Sequence, residues 1–227
     1  GNEIDIPDTQ SGTGKLGLPY TTTSKTIPNF TLVSVPPNAT GTFTPGPQTV
    51  TYVYRRADAG DVTVYHKSVY DNSDLSTPTV LDGSRKLGLP YTTTPETYSD
   101  YEIDTVPGNA TGTFVSGSQT VTYLYKRKQS GGVTVNYLDN HGNRIETPDT
   151  ITGTDNVGLP YTTTPKVIPN YTLIVVPGNA NGTFTVDPIT VNYIYKRDDA
   201  GDVVVEHIDE NGNVPLETPE VLDGTEI

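Results

Sequence analysis

The sequence contains no cysteine, no methionine and no tryptophan among its 227 residues. Without cysteine the chain has no disulfide, no thiol nucleophile and no cysteine-ligated zinc site. The absence of cysteine and methionine also removes the two side chains that oxidise most easily, which suits an extracellular setting. Basic residues are few, with 14 Lys and Arg against 27 Asp and Glu, so the formal net charge is −13. Such a chain is not expected to bind nucleic acid or an anionic membrane surface, because both are polyanions. No membrane-spanning segment is visible, so we expect no membrane insertion within this stretch.

What the sequence has in abundance is repetition. The heptapeptide GLPYTTT occurs three times, and its tyrosines Tyr20, Tyr91 and Tyr161 are 71 and then 70 residues apart. A second segment, written NATGTF twice and NANGTF once, keeps the same spacing. A fixed period of this length predicts a tandem array of small domains, each only just large enough to fold alone.

The phase of the repeats predicts four segments. Residues 1–56 form a repeat that lacks its first strand, 61–127 and 132–197 are complete repeats, and 202–227 hold the opening hairpin of a fourth. We expect the chain to be a fragment of a longer array. The joints between repeats are only a few residues long, and such brief linkers restrict swinging, so the sequence predicts an elongated, stiff rod.

Each repeat has the pattern of a small β-domain. In the third repeat, residues 133–137 alternate between apolar and polar, which is typical of a strand. Residues 139–143 read DNHGN and predict a hairpin turn, because Asn and Gly tolerate positive φ. A second strand is expected from 144 to 151, where Pro148 marks an edge or a bulge.

The last strand of the repeat has the clearest signal. Val191, Tyr193 and Tyr195 share one face, and Ile194 lies on the other, so this strand is predicted to be central in its sheet. The proline-bounded segment 162–169 has room for one or two helical turns at most. We therefore expect four or five strands per repeat, a short crossover and little helix, which is a mainly β fold.

These motifs together resemble a known family. The order is V-x-V-x-Y, a D-x-x-G-N turn, G-x-P-Y, an N-Y-T-L strand, G-T-F and then V-x-Y-x-Y. This pattern is similar to the MucBP (mucin-binding protein) repeat of Gram-positive cell-surface adhesins. The resemblance implies that each repeat is a small ubiquitin-like β-grasp domain. It also implies an extracellular protein, anchored to the cell wall through parts outside this stretch, that binds mucin or other host glycoprotein glycans.

The tyrosines are the candidate glycan-binding residues. There are 15 Tyr against 4 Phe, and those of the last strand alternate on one face, which favours core packing there. Tyr20, Tyr91 and Tyr161, with the adjacent Thr92 and Thr162, are the better candidates, because aromatic faces stack on sugar rings and hydroxyls hydrogen-bond to them. The alternative is that these tyrosines anchor a proline-containing loop, and the sequence favours that role.

No catalytic or metal site is predicted. Carboxylates such as Asp139 open turns, and no loop has the spaced oxygen ligands of a calcium site, so turn chemistry is favoured over calcium. Of the histidines, His66 and His207 stand near the end of the first strand, where the third repeat has Tyr137, and His141 lies in a turn. A position that exchanges His for Tyr is unsuited to an invariable base, so we expect no cofactor and no enzyme activity.

Two functional hypotheses remain open at the level of sequence. The first is weak, multivalent adhesion to host mucin, and the second is a non-binding stalk that projects another domain from the cell wall. A third feature is the orphan strand at Val203–Val205, which could complete the strand-deficient first repeat of a neighbouring molecule. Head-to-tail self-association would follow, unless the fragment boundary simply falls inside a repeat.

Overall fold

The computed structural model describes residues 2–210 and 214–225. Its regular elements within these residues are all β-strands, so the prediction of a mainly β fold is confirmed. The described residues include no helix of the length and apolarity that crossing a bilayer needs. The chain forms two compact units, one of Gly1–Thr97 with Ile103–Lys126 and one of Tyr98–Glu102 with Arg127–Ile227.

Most strands are short, and the second and third repeats each contain the same series of six, more than the four or five expected because the GLPYTTT and Gly-Thr-Phe segments form a short pair of their own. The strands in chain order are β1 (Pro19–Thr21), β2 (Phe30–Ser34), β3 (Thr40–Thr42), β4 (Val53–Arg56), β5 (Val62–Ser68), β6 (Thr79–Leu81), β7 (Pro90–Thr92), β8 (Tyr101–Thr105), β9 (Thr111–Thr113), β10 (Gln119–Arg127), β11 (Val133–Asp139), β12 (Arg144–Ile151), β13 (Pro160–Thr162), β14 (Tyr171–Val175), β15 (Asn181–Thr183), β16 (Ile189–Arg197), β17 (Val203–Val205) and β18 (Glu220–Leu222). The longest, β10 and β16, each belong to a four-stranded sheet.

The third repeat has a mixed sheet with the order β12-β11-β16-β14. Its first and last strands, β11 and β16, run parallel at the centre, in register from Val133 opposite Ile189 to Asp139 opposite Tyr195. The edge strands β12 and β14 pair antiparallel with them. The last strand of the repeat is therefore central, as its apolar residues on both faces predict.

A bulge interrupts the pairing of β11 with β12. Val135 lies opposite Asp149, but Tyr137 lies opposite Glu146, so the edge strand carries an additional residue in this interval. Pro148 falls inside the bulge, where its missing N–H costs no ladder hydrogen bond. The predicted edge or bulge at Pro148 is confirmed.

The turn between β11 and β12 is built by one carboxylate. Asp139 Oδ1 accepts the backbone N–H groups of His141 at 2.9 Å and of Asn143 at 2.7 Å. Gly142 has φ of 86°, a conformation that favours glycine. The Asn143 side chain also donates to Asp139 Oδ2. This hydrogen bond, with a smaller effect from the two backbone N–H groups, holds the pKa of Asp139 below its ordinary value. Asp139 thus serves the turn, as the sequence predicts.

The core of the third repeat lies on one face of the sheet. Aromatic side chains fill it because a buried tyrosine removes about 150–250 Å² from water. Tyr137 and Tyr193 stack with their ring centroids 6.0 Å apart, and Tyr195 lies beside them. The buried cluster comprises Val133, Val135, Tyr137, Tyr161, Ile168, Ala180, Phe184, Val191, Tyr193 and Tyr195.

The other repeats follow the same plan. The second repeat has the sheet order β6-β5-β10-β8, with β5 and β10 parallel at its centre. In the first repeat β2 pairs with β4 and β1 with β3, and near the end of the chain β17 pairs with β18. The segment 163–168 contains no helical turn. The structure thus supports an all-β repeat, and the finer β-grasp class stays a prediction.

Candidate functional site

The GLPYTTT segment crosses the core side of each sheet. In the third repeat Gly158 has φ of 80° and starts the segment with a sharp turn. The strand β13 then pairs with β15, with Tyr161 opposite Gly182. Backbone hydrogen bonds from Gly158 N to Phe184 O and from Phe184 N to Leu159 O, both 2.9 Å, extend this pairing. The segment is thereby fixed to the Gly-Thr-Phe motif that follows it in sequence.

Tyr161 anchors this segment in the core. Its side chain is only 6% exposed, and its ring lies 5.5 Å from the ring of Phe184. The hydroxyl donates to the backbone oxygen of Asn179 at 3.0 Å. Gly182 lies directly beneath the ring, since a Cβ there would be 2.9 Å from Tyr161 Oη. The Gly of this motif is therefore needed for close packing of the tyrosine.

The equivalent tyrosines pack against the equivalent phenylalanines, although Tyr20 is less buried than the other two. Tyr91 is 5% exposed, lies 5.4 Å from the ring of Phe114 and donates to Asn109 O. Tyr20 is half-buried and lies 5.5 Å from the ring of Phe43. The rings of Tyr91 and Tyr161 thus have their faces occupied by the protein. The anchoring role that the sequence favours describes them well.

The threonines of GLPYTTT differ in exposure. The first of each triplet in the two complete repeats, Thr92 and Thr162, is exposed. The second points inward: Thr163 Oγ1 donates to Ala180 O at 2.9 Å and lies 2.9 Å from Tyr193 Oη. Thr93 makes the equivalent contacts in the second repeat. Of the five candidate residues, Thr92 and Thr162 are therefore the exposed ones, whereas Tyr20 is half-buried and Tyr91 and Tyr161 are buried.

A second tyrosine of the last strand holds the segment after the triplet. Tyr195 Oη donates to Lys166 O at 2.8 Å and accepts the N–H of the same residue at 3.1 Å. Tyr125 makes the same two contacts with Glu96 in the second repeat. One hydroxyl thus satisfies both backbone groups of a residue that lies outside any strand.

The side chain at this position completes a polar cluster in the third repeat. Lys166 Nζ lies 2.6 Å from Asp149 Oδ1 and 4.5 Å from the ring centroid of Tyr137. Tyr137 Oη donates to the other carboxylate oxygen at 2.8 Å. The hydrogen bond from Lys166 holds the pKa of Asp149 below its ordinary value, with a smaller contribution from Tyr137. Burial, together with Asp149, raises the pKa of Tyr137.

His66 takes the place of Tyr137 in the second repeat. It is 2% exposed, stacks on Tyr123 at 5.2 Å and has Nδ1 2.9 Å from Tyr125 Oη. Its Nε2 lies 3.6 Å from Glu96 Oε1. No role for His66 was predicted from the sequence. Its equivalence to Tyr137 in the third repeat could have indicated that it is a core residue.

Residues 2–210 and 214–225 bring together no set of three or more His, Cys, Asp or Glu side chains suited to a metal. Other turn carboxylates resemble Asp139, since Asp82 Oδ1 accepts from the hydroxyl and the backbone of Ser84. These hydrogen bonds lower the pKa of Asp82.

Comparison with known proteins identifies the class of these repeats. The sequence model of the MucBP domain matches residues 1–55, 61–126 and 132–196. The chain therefore belongs to the MucBP domain family, and the resemblance noted from its motifs is confirmed.

Relatives contain this region as a part of longer proteins. Internalin J of Listeria monocytogenes serovar 1/2a is 44% identical over 188 residues, which is 81% of this chain and 22% of the internalin. The muramidase-released protein of Streptococcus suis is 38% identical over 104 residues, 40% of this chain and 8% of that protein. The chain thus spans less than a quarter of the first of these relatives.

Among solved structures, a type 2 repeat of the mucus binding protein MUB from Lactobacillus reuteri is 16% identical, with a TM-score of 0.23. The likeness covers 61% of this chain and all of the MUB repeat. A tandem pair of streptococcal SHIRT domains from a cell surface protein is 12% identical, with a TM-score of 0.32, and it covers 62% of this chain.

Proposed function

We propose that this chain is a repeat region of an extracellular bacterial surface adhesin that binds mucin-type host glycoproteins weakly and through several repeats at once. The observation that carries the proposal is the match of three tandem segments to the MucBP domain, each with a GLPYTTT tyrosine that packs against a phenylalanine of the same repeat. The relatives support a surface protein of which this region is one part. Anchoring to the cell wall would be supplied by other parts of the full protein.

The proposed contact surface is the outer side of the GLPYTTT segments. Thr92 and Thr162 offer exposed hydroxyls, and the buried rings of Tyr91 and Tyr161 hold the strands that carry them. Tyr20 does the same in the first repeat. An uncharged surface of hydroxyls suits a glycan, and a few hydroxyl contacts give a weak site. Repetition then raises the overall affinity by about 10²–10⁴, provided that the sites engage together.

Mucin binding can be tested by immobilising mucin and measuring binding of the chain and of a Thr92→Ala, Thr162→Ala double variant. We expect the double variant to bind several-fold more weakly, because two of the proposed contacts are lost. The matched control is Thr120→Ala, Thr190→Ala, since these threonines are also exposed and are the second residues of the last strands of the same two repeats.

Equal binding by the two double variants would refute this site. Binding no stronger than that of an uncoated surface would refute mucin adhesion itself. Tyr91→Ala and Tyr161→Ala are unsuitable as probes, because each removes a buried ring and so tests folding.

A non-binding stalk is the second candidate function, and the joint after the first repeat favours it. Ala57, in that joint, donates its N–H to Asn29 O and accepts from Leu87 N, so the linker is bonded to both neighbouring repeats. A stalk of this kind would have the elongated, stiff shape that the short joints predict. A glycan array without signal, combined with small-angle scattering in which the longest dimension grows in proportion to repeat number, would favour the stalk over the adhesin.

Two finer proposals concern fold and assembly. The sheet order, with the first and last strands parallel at the centre, supports the β-grasp class, which an experimental structure of one repeat would test.

Among the described residues β4 pairs only with β2 and β17 only with β18, so β17 of one molecule could add to β4 of another. Sedimentation analysis at high concentration should then show head-to-tail oligomers, and a strictly monomeric chain would contradict this.

A further inference from the structure

The joint between the first and second repeats lies inside one compact unit and is hydrogen-bonded on both sides. Ala57 N donates to Asn29 O at 2.8 Å, which attaches the linker to the first repeat. Leu87 N donates to Ala57 O at 3.2 Å, which attaches it to the second. A single linker residue therefore uses both of its peptide groups to connect the two domains.

Arg56, the last residue of β4, spans the same joint with its side chain. Its guanidinium carbon lies 4.7 Å from the ring centroid of Phe30 in the first repeat. Its Nη1 donates to Leu87 O in the second repeat at 2.8 Å. The planar group thus lies over a ring of one domain while it is hydrogen-bonded to the next, and the fixed fork of the guanidinium suits this better than the compact ammonium of lysine.

The glycine that begins GLPYTTT makes room for this contact. Gly88 has φ of 79°, and a Cβ at this position would collide with the side-chain amide of Asn29. The Asn29 side chain of the first repeat therefore lies directly against the backbone of the second, and a residue with a Cβ at this position would force it to shift. The GLPY motif serves the joint through its Gly, in addition to the core through its Tyr.

The same contact recurs one period later, within the other compact unit. The guanidinium of Arg127 lies 5.2 Å from the ring centroid of Tyr101, and its Nη1 donates to Val157 O at 3.4 Å. Val157 N donates in turn to Lys128 O at 3.3 Å, as Leu87 N does to Ala57 O.

The residue that makes this contact is the same in all three repeats, whereas the residue before it varies. Arg56, Arg127 and Arg197 all keep arginine, whereas the preceding residue is Arg55 in one repeat and lysine in the others. Two adjacent positions of one strand thus have different requirements. The variable position needs only a cation on the surface. The constant position needs the planar guanidinium of arginine.

We propose that Arg56 is a clamp that fixes the angle between the first and second repeats. The clamp needs no ligand, so it stands whether the repeats bind mucin or only extend. It gives neighbouring GLPYTTT segments a defined spacing instead of a range of spacings.

The test is a distance distribution across the joint, measured by electron spin resonance on the whole chain. Because the sequence has no cysteine, spin labels attach only at introduced sites, and the exposed Thr51 and Thr113 are suitable when changed to Cys. In the Arg56→Gln variant we expect the distribution to broaden at least twofold. The Arg56→Lys variant should broaden it nearly as much, since the charge is kept and the stacked fork is lost.

The matched control is Arg55→Gln, which removes the same charge from the adjacent, exposed position of β4. It should leave the distribution unchanged. An unchanged width in Arg56→Gln, or equal broadening in Arg55→Gln, would overturn the proposal. Amide exchange of β2 and β4 should remain slow in Arg56→Gln; loss of that protection would show that the arginine acts within the first repeat and would also overturn it.

Discussion

The second and third repeats share a fold but differ at three positions that contact one another. Where the third repeat has Tyr137, Asp149 and Lys166, the second has His66, Thr79 and Glu96 at the equivalent places. In the third repeat the lysine and the aspartate form the ion pair, and the tyrosine donates to the aspartate. In the second repeat the histidine faces the glutamate.

Comparison of the two clusters identifies the part on which the fold depends. Tyr125 and Tyr195 bond the backbone of Glu96 and Lys166 in the same way, although these two side chains carry opposite charges. The fixed component is therefore the hydroxyl-to-backbone contact. The charges around it can be exchanged, provided that the facing group changes as well.

The largest expected effect tests whether the two cores are equivalent. Tyr123→Ala in the second repeat and Tyr193→Ala in the third each remove a fully buried ring. We expect each to lower the free energy of unfolding of its own repeat by about 3–5 kcal/mol. Residue-resolved amide exchange on the whole chain would measure both. A decrease in unfolding free energy in only one of the two variants would show that the repeats do not depend equally on the last strand.

The next effect should distinguish the repeats. Tyr195→Phe leaves the N–H and C=O of Lys166 without their hydroxyl partner, and Tyr125→Phe does the same to Glu96. Tyr125→Phe also removes the hydroxyl that contacts His66 Nδ1. We expect a cost of about 1–3 kcal/mol in each, larger for Tyr125→Phe because one more buried polar atom loses a contact. Equal exchange protection in the two variants would contradict this ranking.

A smaller effect should come from exchanging the charges. Glu96→Lys puts a lysine beside His66 without the aspartate that the third repeat provides, so the second repeat should lose stability. Adding Thr79→Asp should restore part of it, with a coupling energy of about 0.5–1 kcal/mol because the pair is partly exposed. The control is Thr79→Asp alone. Additive effects of the two changes would show that these positions do not interact.

Local sequence patterns predict the strands, the Asp139 turn and the Pro148 bulge, because each depends on neighbours within a few residues. They also favour Tyr161 as a loop anchor over Tyr161 as a glycan contact, and its burial is consistent with the anchoring role. The charge cluster was not predicted, because Lys166 and Asp149 come together only through the fold. The contact of Arg56 was missed for the same reason: a strand-end arginine has the sequence pattern of a surface charge.

The smallest effect is a difference in acid sensitivity between the two repeats. The pKa of Asp149 lies below its ordinary value of 3.8, so the folded third repeat keeps this carboxylate charged at a pH where the unfolded chain protonates it. The stabilisation is therefore complete above the unfolded pKa and is lost as pH falls through the folded pKa.

Comparison of the wild-type chain with Asp149→Asn isolates this carboxylate from the other acids. The difference in exchange protection of β12 should be constant near pH 7 and should shrink below about pH 4. The second repeat has Thr79 at this position, so its β6 amides should show no such difference between the two proteins. A difference that persists unchanged at the lowest pH would mean that Asp149 stabilises the edge strand through its shape, and that the contrast between the repeats is not one of charge.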